Sequence, residues 1–311
     1  MGCLWASHLH HAFQQTSEHS VQFLSTRDKT HEHIQFSLSS PFLSVEQQRF
    51  NIDLPVSKAS DIKPATQTQP NIILLCTKSY HALDAALALQ TYLNEHCYLV
   101  LFQNGLGSQH KILQALPEIP LYAAVSTEGV NRQSNGNLIH AGKGLTRIGP
   151  INEAARQQAK FDKCLSTLSH NGLATQANIN IWPALWEKLA INCAINPFTA
   201  ILNCPNGEIK NTRLFQENWP ALKLELSAML NQAGVPISSQ ELEIRVFEVI
   251  ENTRSNISSM LQDIRAKRQT EIEDINGFAA RYLAENGLSN TLNQDLWIKV
   301  LDQTGEGSDH G

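Results

Sequence analysis

Residues Leu185–Glu208, LWEKLAINCAINPFTAILNCPNGE, form a segment that is apolar enough to be buried yet contains an amine and several carboxamides. Lys188, Asn192 and Asn196 are spaced at i, i+4 and i+8, so at about 100° per residue they share one face of a helix. Burying an amide without a partner costs roughly 2–7 kcal/mol, and a charge costs more, so this face needs polar groups opposite it. A bound substrate would supply them, and so would a structural network between two helices.

The lysine on this face favours a substrate site. An amine desolvated on a helix has its pKa lowered toward neutrality, which suits a general acid or base. A second polar pattern follows, in which Asn256, Ser259 and Asp263 are spaced at i, i+3 and i+7 and Glu271 returns to nearly the same face. We expect the two polar faces to form a cleft with Lys188 and Glu271 as a charge pair at its base.

Three segments resemble ketopantoate reductases (2-dehydropantoate 2-reductases), the NADPH-dependent enzymes of pantothenate synthesis. They are WEKLAINCAINPFTA (186–200), NCPNGE (203–208) and NISSMLQDIRAKRQTEIEDINGF (256–278). The resemblance extends more loosely from Gly2 to about Leu283. It implies that Lys188 is the general acid that protonates the ketone oxygen, and that Glu271 positions the substrate hydroxyl and the lysine.

The resemblance also implies two sets of binding residues. The residues implied to contact the substrate are Asn104, Asn192, Asn196, Asn206, Asn256 and Ser259. The residues implied to contact NADP(H) are Gly2, Arg27, Lys78, Asn104 and Glu271. Carboxamides suit this task because they bind hydroxyl and carboxylate groups without adding negative charge that would repel an anionic keto acid.

The order of predicted elements gives the fold class. Strands alternate with helices up to about Ile179, which predicts a Rossmann-like, doubly wound α/β domain over residues 1–179 that binds NADP(H). Only helical patterns follow, which predicts an all-α substrate and catalytic domain over residues 180–304. Residues 305–311 contain no core-forming side chain, and we expect them to be a disordered tail.

The N-terminal helix predicts an incomplete dinucleotide fingerprint. Leu4, Trp5 and Leu9 recur at helical spacing directly after Gly2, which corresponds to the last glycine of a G-x-G-x-x-G turn. The family pattern has a strand and two glycines before that position, so we expect a late start codon or a shortened chain. Weak binding of the cofactor pyrophosphate and reduced stability are the expected consequences.

Three residues after predicted strands are candidates for cofactor contacts. Arg27 follows the strand Val21–Leu24, and a cation there favours the 2′-phosphate of NADP(H), although a solvated surface arginine is the alternative. Lys78 follows the apolar strand that begins at Asn71, where ligands of parallel sheets bind. Asn104 opens the turn Asn-Gly-Leu-Gly, whose glycines permit close approach to a ligand; a simple turn-forming Asn-Gly is the alternative.

Composition narrows the class of protein. The chain has 311 residues, 42% hydrophobic and 17% charged, and a net charge of −5, which argues against a nucleic-acid or anionic-membrane partner. No apolar run of spanning length and no export signal is visible, so we expect a cytoplasmic monomer or homodimer. Six scattered cysteines predict reduced thiols, and the twelve histidines show no metal-binding pattern.

Three functions remain open from the sequence. The leading hypothesis is NADPH-dependent reduction of 2-dehydropantoate to (R)-pantoate, on the path to pantothenate and coenzyme A. The alternatives are a keto-acid or imine reductase that has the same scaffold and a different side-chain pocket, and a truncated, non-catalytic paralogue. Comparing turnover of ketopantoate with that of pyruvate-type acids separates the first two.

Overall fold

The structure is a computed structural model that describes residues 1–14, 19–25, 31–42, 49–133, 135–169, 172–289 and 291–305. The chain divides into two compact units. The first comprises Met1–Thr77, His81–Gln103 and Gln109–Ile181, and the second comprises Lys78–Tyr80, Asn104–Ser108 and Trp182–Gly311. Two short segments from the first half of the chain, which include Lys78 and Asn104, therefore belong to the same unit as the C-terminal helices.

The first unit is α/β, as predicted. Its strands are β1 (Phe23–Ser25), β2 (His33–Ser39), β3 (Arg49–Lys58), β4 (Asn71–Leu75), β5 (Cys97–Leu101), β6 (Leu121–Ser126), β7 (Gly129–Arg132), β8 (Leu138–Gly142), β9 (Thr146–Pro150) and β10 (Thr175–Ala177). Its helices are α1 (Gly2–Phe13), α2 (Ser79–Leu89), α3 (Gly107–Ala115) and α4 (Gln158–Ser169), of which α2 and α3 begin with residues of the second unit.

The strands form two five-stranded sheets rather than one. One sheet has the order β10-β9-β6-β5-β4, in which only the β6–β9 pair is antiparallel. The other has the order β1-β3-β2-β8-β7 and mixes parallel and antiparallel pairs. β1 and β4 are edge strands, and no described strand pairs with both of them, so the strands of the predicted α/β domain lie in two sheets.

Helix α1 packs into the core that both sheets share. Leu4 and Trp5 are fully buried and belong to one cluster with Leu54 of β3 and Val100 of β5. The predicted helical spacing of α1 is thus confirmed. Burying each such apolar side chain stabilises the fold by roughly 1.5–3 kcal/mol, so the apolar face of α1 holds this helix in the core.

The second unit is helical, as predicted. Its helices are α5 (Trp182–Leu202), α6 (Arg213–Gln232), α7 (Ser239–Asn252), α8 (Ser259–Arg265), α9 (Asn276–Glu285) and α10 (Leu292–Thr304). Helix α5, which contains most of Leu185–Glu208, packs against α6, α7, α8 and α10 and is therefore the centre of this unit. Within the described residues, no helix combines the length and apolarity that crossing a membrane requires.

A proline inside α5 leaves one helix carbonyl without its usual donor. Pro197 has no N–H, so the carbonyl of Cys193, four residues earlier, lacks an intrahelical partner. The Nδ2 of Asn276, the first residue of α9, donates to that carbonyl at 3.3 Å and to Asn293 Oδ1 at 3.0 Å. All of these groups are buried, so the pairing joins α5, α9 and α10 through polar contacts in the core.

Candidate active site

The centre of the candidate site is the carboxylate of Glu271, whose side chain is 6% exposed. Its Oε1 accepts a hydrogen bond of 3.0 Å from the backbone N–H of Ser79. Its Oε2 accepts one of 3.2 Å from Asn104 Nδ2 and lies 3.6 Å from the ammonium of Lys78. All four residues belong to the second unit. Each oxygen thus has a donor, which compensates for the burial of the charge.

Lys78 contacts a second buried carboxylate. Its Nζ donates to Asp263 Oδ2, while the other oxygen of Asp263 accepts from the Arg268 guanidinium at 3.1 Å. Burial lowers the pKa of Lys78, but the nearby charges of Glu271 and Asp263 outweigh it, and the net pKa is raised above the ordinary value. The ammonium therefore stays protonated at neutral pH.

The pKa of Lys188 is shifted in the opposite direction from that of Lys78. Lys188 is a half-buried residue of α5, and desolvation lowers its pKa below the ordinary lysine value although the charge of Glu271 acts in the other direction. Two lysines near one carboxylate thus have pKa values moved apart. A pKa nearer to neutrality allows Lys188 to give up a proton more readily than Lys78.

The predicted polar face of α5 continues along the helix. Asn192 is half-buried and Asn196 is buried, and both lie one or two turns beyond Lys188. Since residues four apart lie above one another on a helix, these carboxamides and the amine form a single stripe. Because α5 is an α-helix through all three positions, the predicted i, i+4, i+8 spacing places them on one face.

Asn206 presents a buried carbonyl oxygen. Its Nδ2 donates to Thr253 Oγ1 at 2.9 Å, and the Thr253 hydroxyl donates in turn to the carbonyl of Val249 at 2.6 Å. This chain fixes which end of the amide is the donor, because the hydroxyl hydrogen is already used. The Oδ1 atom is buried and has no hydrogen-bond partner among the described residues, so it is an acceptor that lacks a donor.

The turn that carries Asn104 packs closely on the chain itself. Gly105 has φ +82°, and a Cβ added to it would lie 2.1 Å from the carbonyl oxygen of Asp274. A Cβ on Gly107 would lie 2.3 Å from Asp274 Oδ1, and Leu106 N–H donates to the Asp274 carbonyl at 3.2 Å. The close approach that these glycines permit is thus to the segment after Glu271, which brings Asn104 to its carboxylate.

Comparison with known proteins identifies the family. Residues 1–153 match the description "Ketopantoate reductase PanE/ApbA", and residues 180–300 match its C-terminal counterpart. The 2-dehydropantoate 2-reductase of Yersinia pestis is 31% identical over 298 residues, which cover 96% of this chain and 90% of that one. The enzyme of the same name from Vibrio cholerae is 30% identical over 306 residues, which cover 98% and 95%.

The chain belongs to the ketopantoate reductase PanE/ApbA family. Solved structures share the fold of this family member. A D-mandelate dehydrogenase solved with NADH and anilino(oxo)acetate superposes with a TM-score of 0.81 at 19% identity, covering 98% of this chain and 96% of that one. A PanE/ApbA family ketopantoate reductase from Ralstonia eutropha gives a TM-score of 0.78 at 22% identity, with the same coverage of both chains.

For this ketopantoate reductase family member, the prediction that a second polar helix face runs from Asn256 to Glu271 is wrong. Asn256 precedes α8, and α8 ends at Arg265. Lys267 has φ +52°, a left-handed conformation that ends the helix, so Glu271 lies beyond it in a separate turn. Asn256 and Ser259 are exposed, whereas Asp263 is buried, so these three side chains do not share one environment.

The remaining predicted cofactor residues lie elsewhere in the chain. Gly2 is the first residue of α1 in the first unit, and a Cβ added to it would lie 3.0 Å from the Cβ of Cys76. Arg27 is outside the described residues. Within the described part of the chain, no group of three or more His, Cys, Asp or Glu side chains could hold a metal ion.

Two contacts of the site were not predicted from the sequence. The sequence spacing places Asp263 on a polar face, but it indicates neither the pairing of Asp263 with Lys78 nor the hydrogen bond from the Ser79 N–H to Glu271. The partners are separated by 185 and 192 positions, so local spacing gives no signal for them. An isolated lysine directly after a buried strand was the available signal, and it pointed to a site without naming the carboxylates.

Proposed function

We propose that this protein catalyses the NADPH-dependent reduction of 2-dehydropantoate to (R)-pantoate. The observation that carries the proposal is the buried carboxylate of Glu271 together with Lys188, an amine whose pKa burial lowers and the charge of Glu271 raises. Reduction of a ketone needs a proton donor for the oxygen and a fixed electrostatic environment for the developing negative charge. Membership of the ketopantoate reductase family supports the same reaction.

In the proposed mechanism, Lys188 delivers a proton to the ketone oxygen. An ammonium polarises the carbonyl before transfer and stabilises the alkoxide as it forms. Glu271 acts as the second catalytic residue: it orients the substrate hydroxyl, and its negative charge favours the protonated form of Lys188. Asn104 and Lys78 contact Glu271, so this carboxylate also holds two candidate cofactor groups in one arrangement.

The residues present fit a nicotinamide cofactor. Such a cofactor supplies the hydride to the carbonyl carbon. Lys78 and Asn104 offer an ammonium and a carboxamide held by Glu271, and these donors suit the hydroxyl and amide groups of a nicotinamide nucleotide. The preference for NADP(H) rests on Arg27 in the sequence, and binding by Gly2 rests on the family fingerprint.

The substrate class follows from the polar groups. Asn206 has a buried oxygen that calls for a donor, and a hydroxyl group on the substrate supplies one. The stripe of Asn192 and Asn196 adds neutral donors and acceptors, and the exposed Asn256 and Ser259 complete the proposed substrate set. A hydroxylated keto acid uses these groups better than a purely apolar one, because an unpaired buried acceptor costs binding energy.

A second candidate is the reduction of another 2-keto acid. The fold itself does not choose between them, because the D-mandelate dehydrogenase noted above shares it. In this alternative the stripe on α5 and the Lys188–Glu271 pair keep their roles, while the side-chain pocket accepts a different group.

Steady-state kinetics on a panel of keto acids tests the proposal. We expect kcat/KM for 2-dehydropantoate with NADPH to exceed that for pyruvate and phenylglyoxylate by at least about 100-fold, as a site built to hydrogen-bond a hydroxyl discriminates strongly. NADPH should be preferred over NADH by about 10-fold or more, since a charge-assisted phosphate contact contributes roughly 1.5–3 kcal/mol. Lys188→Met should lower kcat by about 10²–10⁴-fold, whereas Lys299→Met, at an exposed position of α10, should match the parent. A preference for phenylglyoxylate would overturn the assignment.

A further inference from the structure

A buried pair of hydroxyl groups links α5 to the start of α8. Thr199 is 0% exposed and Ser258 is 7% exposed, and their oxygens are 2.6 Å apart. Thr199 Oγ1 also lies 2.8 Å from the carbonyl of Asn196, and Ser258 Oγ lies 3.1 Å from the N–H of Leu261, where it caps α8. The mechanism proposed above uses neither hydroxyl.

The direction of these hydrogen bonds follows from counting hydrogens. Thr199 has one hydroxyl hydrogen, and the carbonyl of Asn196 can only accept, so Thr199 donates to it. Ser258 accepts from the Leu261 N–H and is left to donate its own hydrogen to Thr199. The chain from Ser258 through Thr199 to Asn196 uses every hydrogen once, and it runs in one direction from α8 to α5.

The pair sits between two groups of candidate substrate residues. Asn196 is three residues before Thr199 on the polar stripe of α5, and Asn256 and Ser259 flank Ser258 at the start of α8. Both elements belong to the second unit. A shift of about 1 Å in a binding group is enough to weaken binding or turnover strongly, so the contact that fixes this spacing has a functional consequence.

We propose that Thr199 and Ser258 are positioning residues that set the affinity for the keto acid by fixing the α8 side of its pocket relative to the amide stripe of α5. This inference rests on the proposed function. Neither residue touches the reacting atoms in the mechanism proposed above. Loss of either hydroxyl leaves a buried polar group without its partner, and α8 then moves relative to Asn196 to satisfy it.

The test separates affinity from turnover. Thr199→Val keeps the side-chain shape and removes the hydroxyl, and we expect it to raise KM for 2-dehydropantoate by about 3- to 30-fold, the range for coupled polar neighbours. KM for NADPH should stay within about twofold of the parent value, and Thr199→Ser should restore the keto acid KM. A merely structural role lowers the active fraction, and hence the apparent kcat, without changing KM.

Two further variants keep the inference testable if Thr199→Val folds poorly. Ser258→Ala should reproduce the rise in KM. In the double variant Thr199→Val/Ser258→Ala, KM for the keto acid should be no higher than in the single variant with the higher KM, because the two hydroxyls act through one contact. Thr167→Val is the matched control: it removes a threonine hydroxyl that donates only to the Lys163 carbonyl on α4. We expect it to leave both KM values unchanged.

The outcomes distinguish this inference from the function on which it rests. If the parent reduces no keto acid of the panel, the proposed function fails and the positioning role fails with it. If the parent is active and both Thr199→Val and Ser258→Ala keep the parent KM for the keto acid, the positioning role alone is overturned. Strictly additive effects in the double variant would also overturn it.

Discussion

Replacing Glu271 by glutamine tests the electrostatic centre of the proposed site. The carboxylate accepts from the Ser79 N–H on one oxygen and from Asn104 on the other, with Lys78 close to the second oxygen. A glutamine amide has only one acceptor oxygen, so its NH₂ group must face either Ser79 or Asn104. At least one charge-assisted hydrogen bond is then lost, which is worth about 1.5–3 kcal/mol.

That energy gives the expected loss of activity. If this hydrogen bond stabilises the transition state, its loss lowers kcat/KM for 2-dehydropantoate about 10- to 150-fold. The contact with Lys78 adds little to this loss, because the Lys78 side chain is 34% exposed and solvent screens the interaction. The rate of NADPH oxidation, followed by absorbance over a range of keto acid concentrations, measures the change directly.

The same variant makes a prediction about pH. The charge of Glu271 raises the pKa of Lys188, so removing that charge lowers the pKa further. A general acid is active when protonated, and the alkaline limb of the pH profile should therefore move to lower pH in Glu271→Gln. Glu273→Gln is the control, because Glu273 is a neighbouring, 41% exposed carboxylate that pairs with Arg281. An alkaline limb that stays in place, with activity within threefold of the parent, would refute the reasoning.

Two other predictions concern Lys188 and the turn beside Asp274. Lys188→Met should lower kcat by about 10²–10⁴-fold, with NADPH affinity unchanged in a fluorescence titration. It should also remove a pH dependence of stability: the folded protein has the lowered pKa, so the unfolded chain binds the extra proton and the free energy of unfolding of the parent rises with pH up to 10.5. Gly105→Ala should destabilise the protein by about 2–4 kcal/mol in urea denaturation, since it combines φ +82° with a clash against the Asp274 carbonyl. Gly136→Ala, at φ +84° with no atom within 4 Å, should cost only about 1–2 kcal/mol, and equal losses in both variants would contradict the clash.

Local patterns predicted much of this fold. The apolar and polar periodicity of Leu185–Glu208 gave α5 and its stripe, because spacing along a helix determines which side chains share a face. The same reasoning failed after Arg265, where Lys267 adopts a left-handed conformation that no periodicity indicates. Helix α3 was missed because its polar sequence, GSQHKILQA, lacks a clear apolar face.

Only part of the candidate site could be proposed from the sequence, for a related reason. Lys188 stood out because an amine in an apolar helix needs an explanation within its own segment. The contacts of Lys78 with Asp263 and Glu271 join parts of the chain far apart in sequence, and only the fold brings them together. Likewise, the glycines after Asn104 indicated a close approach, but the sequence could not show that the nearest group is Asp274.

The proline in α5 constrains how this part of the protein can evolve. Pro197 leaves the Cys193 carbonyl without a backbone N–H, and the side chain of Asn276 supplies one, so the cost of the proline depends on the residue at position 276. An alanine at position 197 would restore the backbone hydrogen bond and leave the Asn276 amide with its contact to Asn293 alone, whereas a change at 276 alone strands a buried carbonyl. Helix α9 is also held in one register on α5, since sliding by a single turn would carry the amide away from the only gap in the ladder that it fits. The two positions should therefore change together during divergence rather than one at a time.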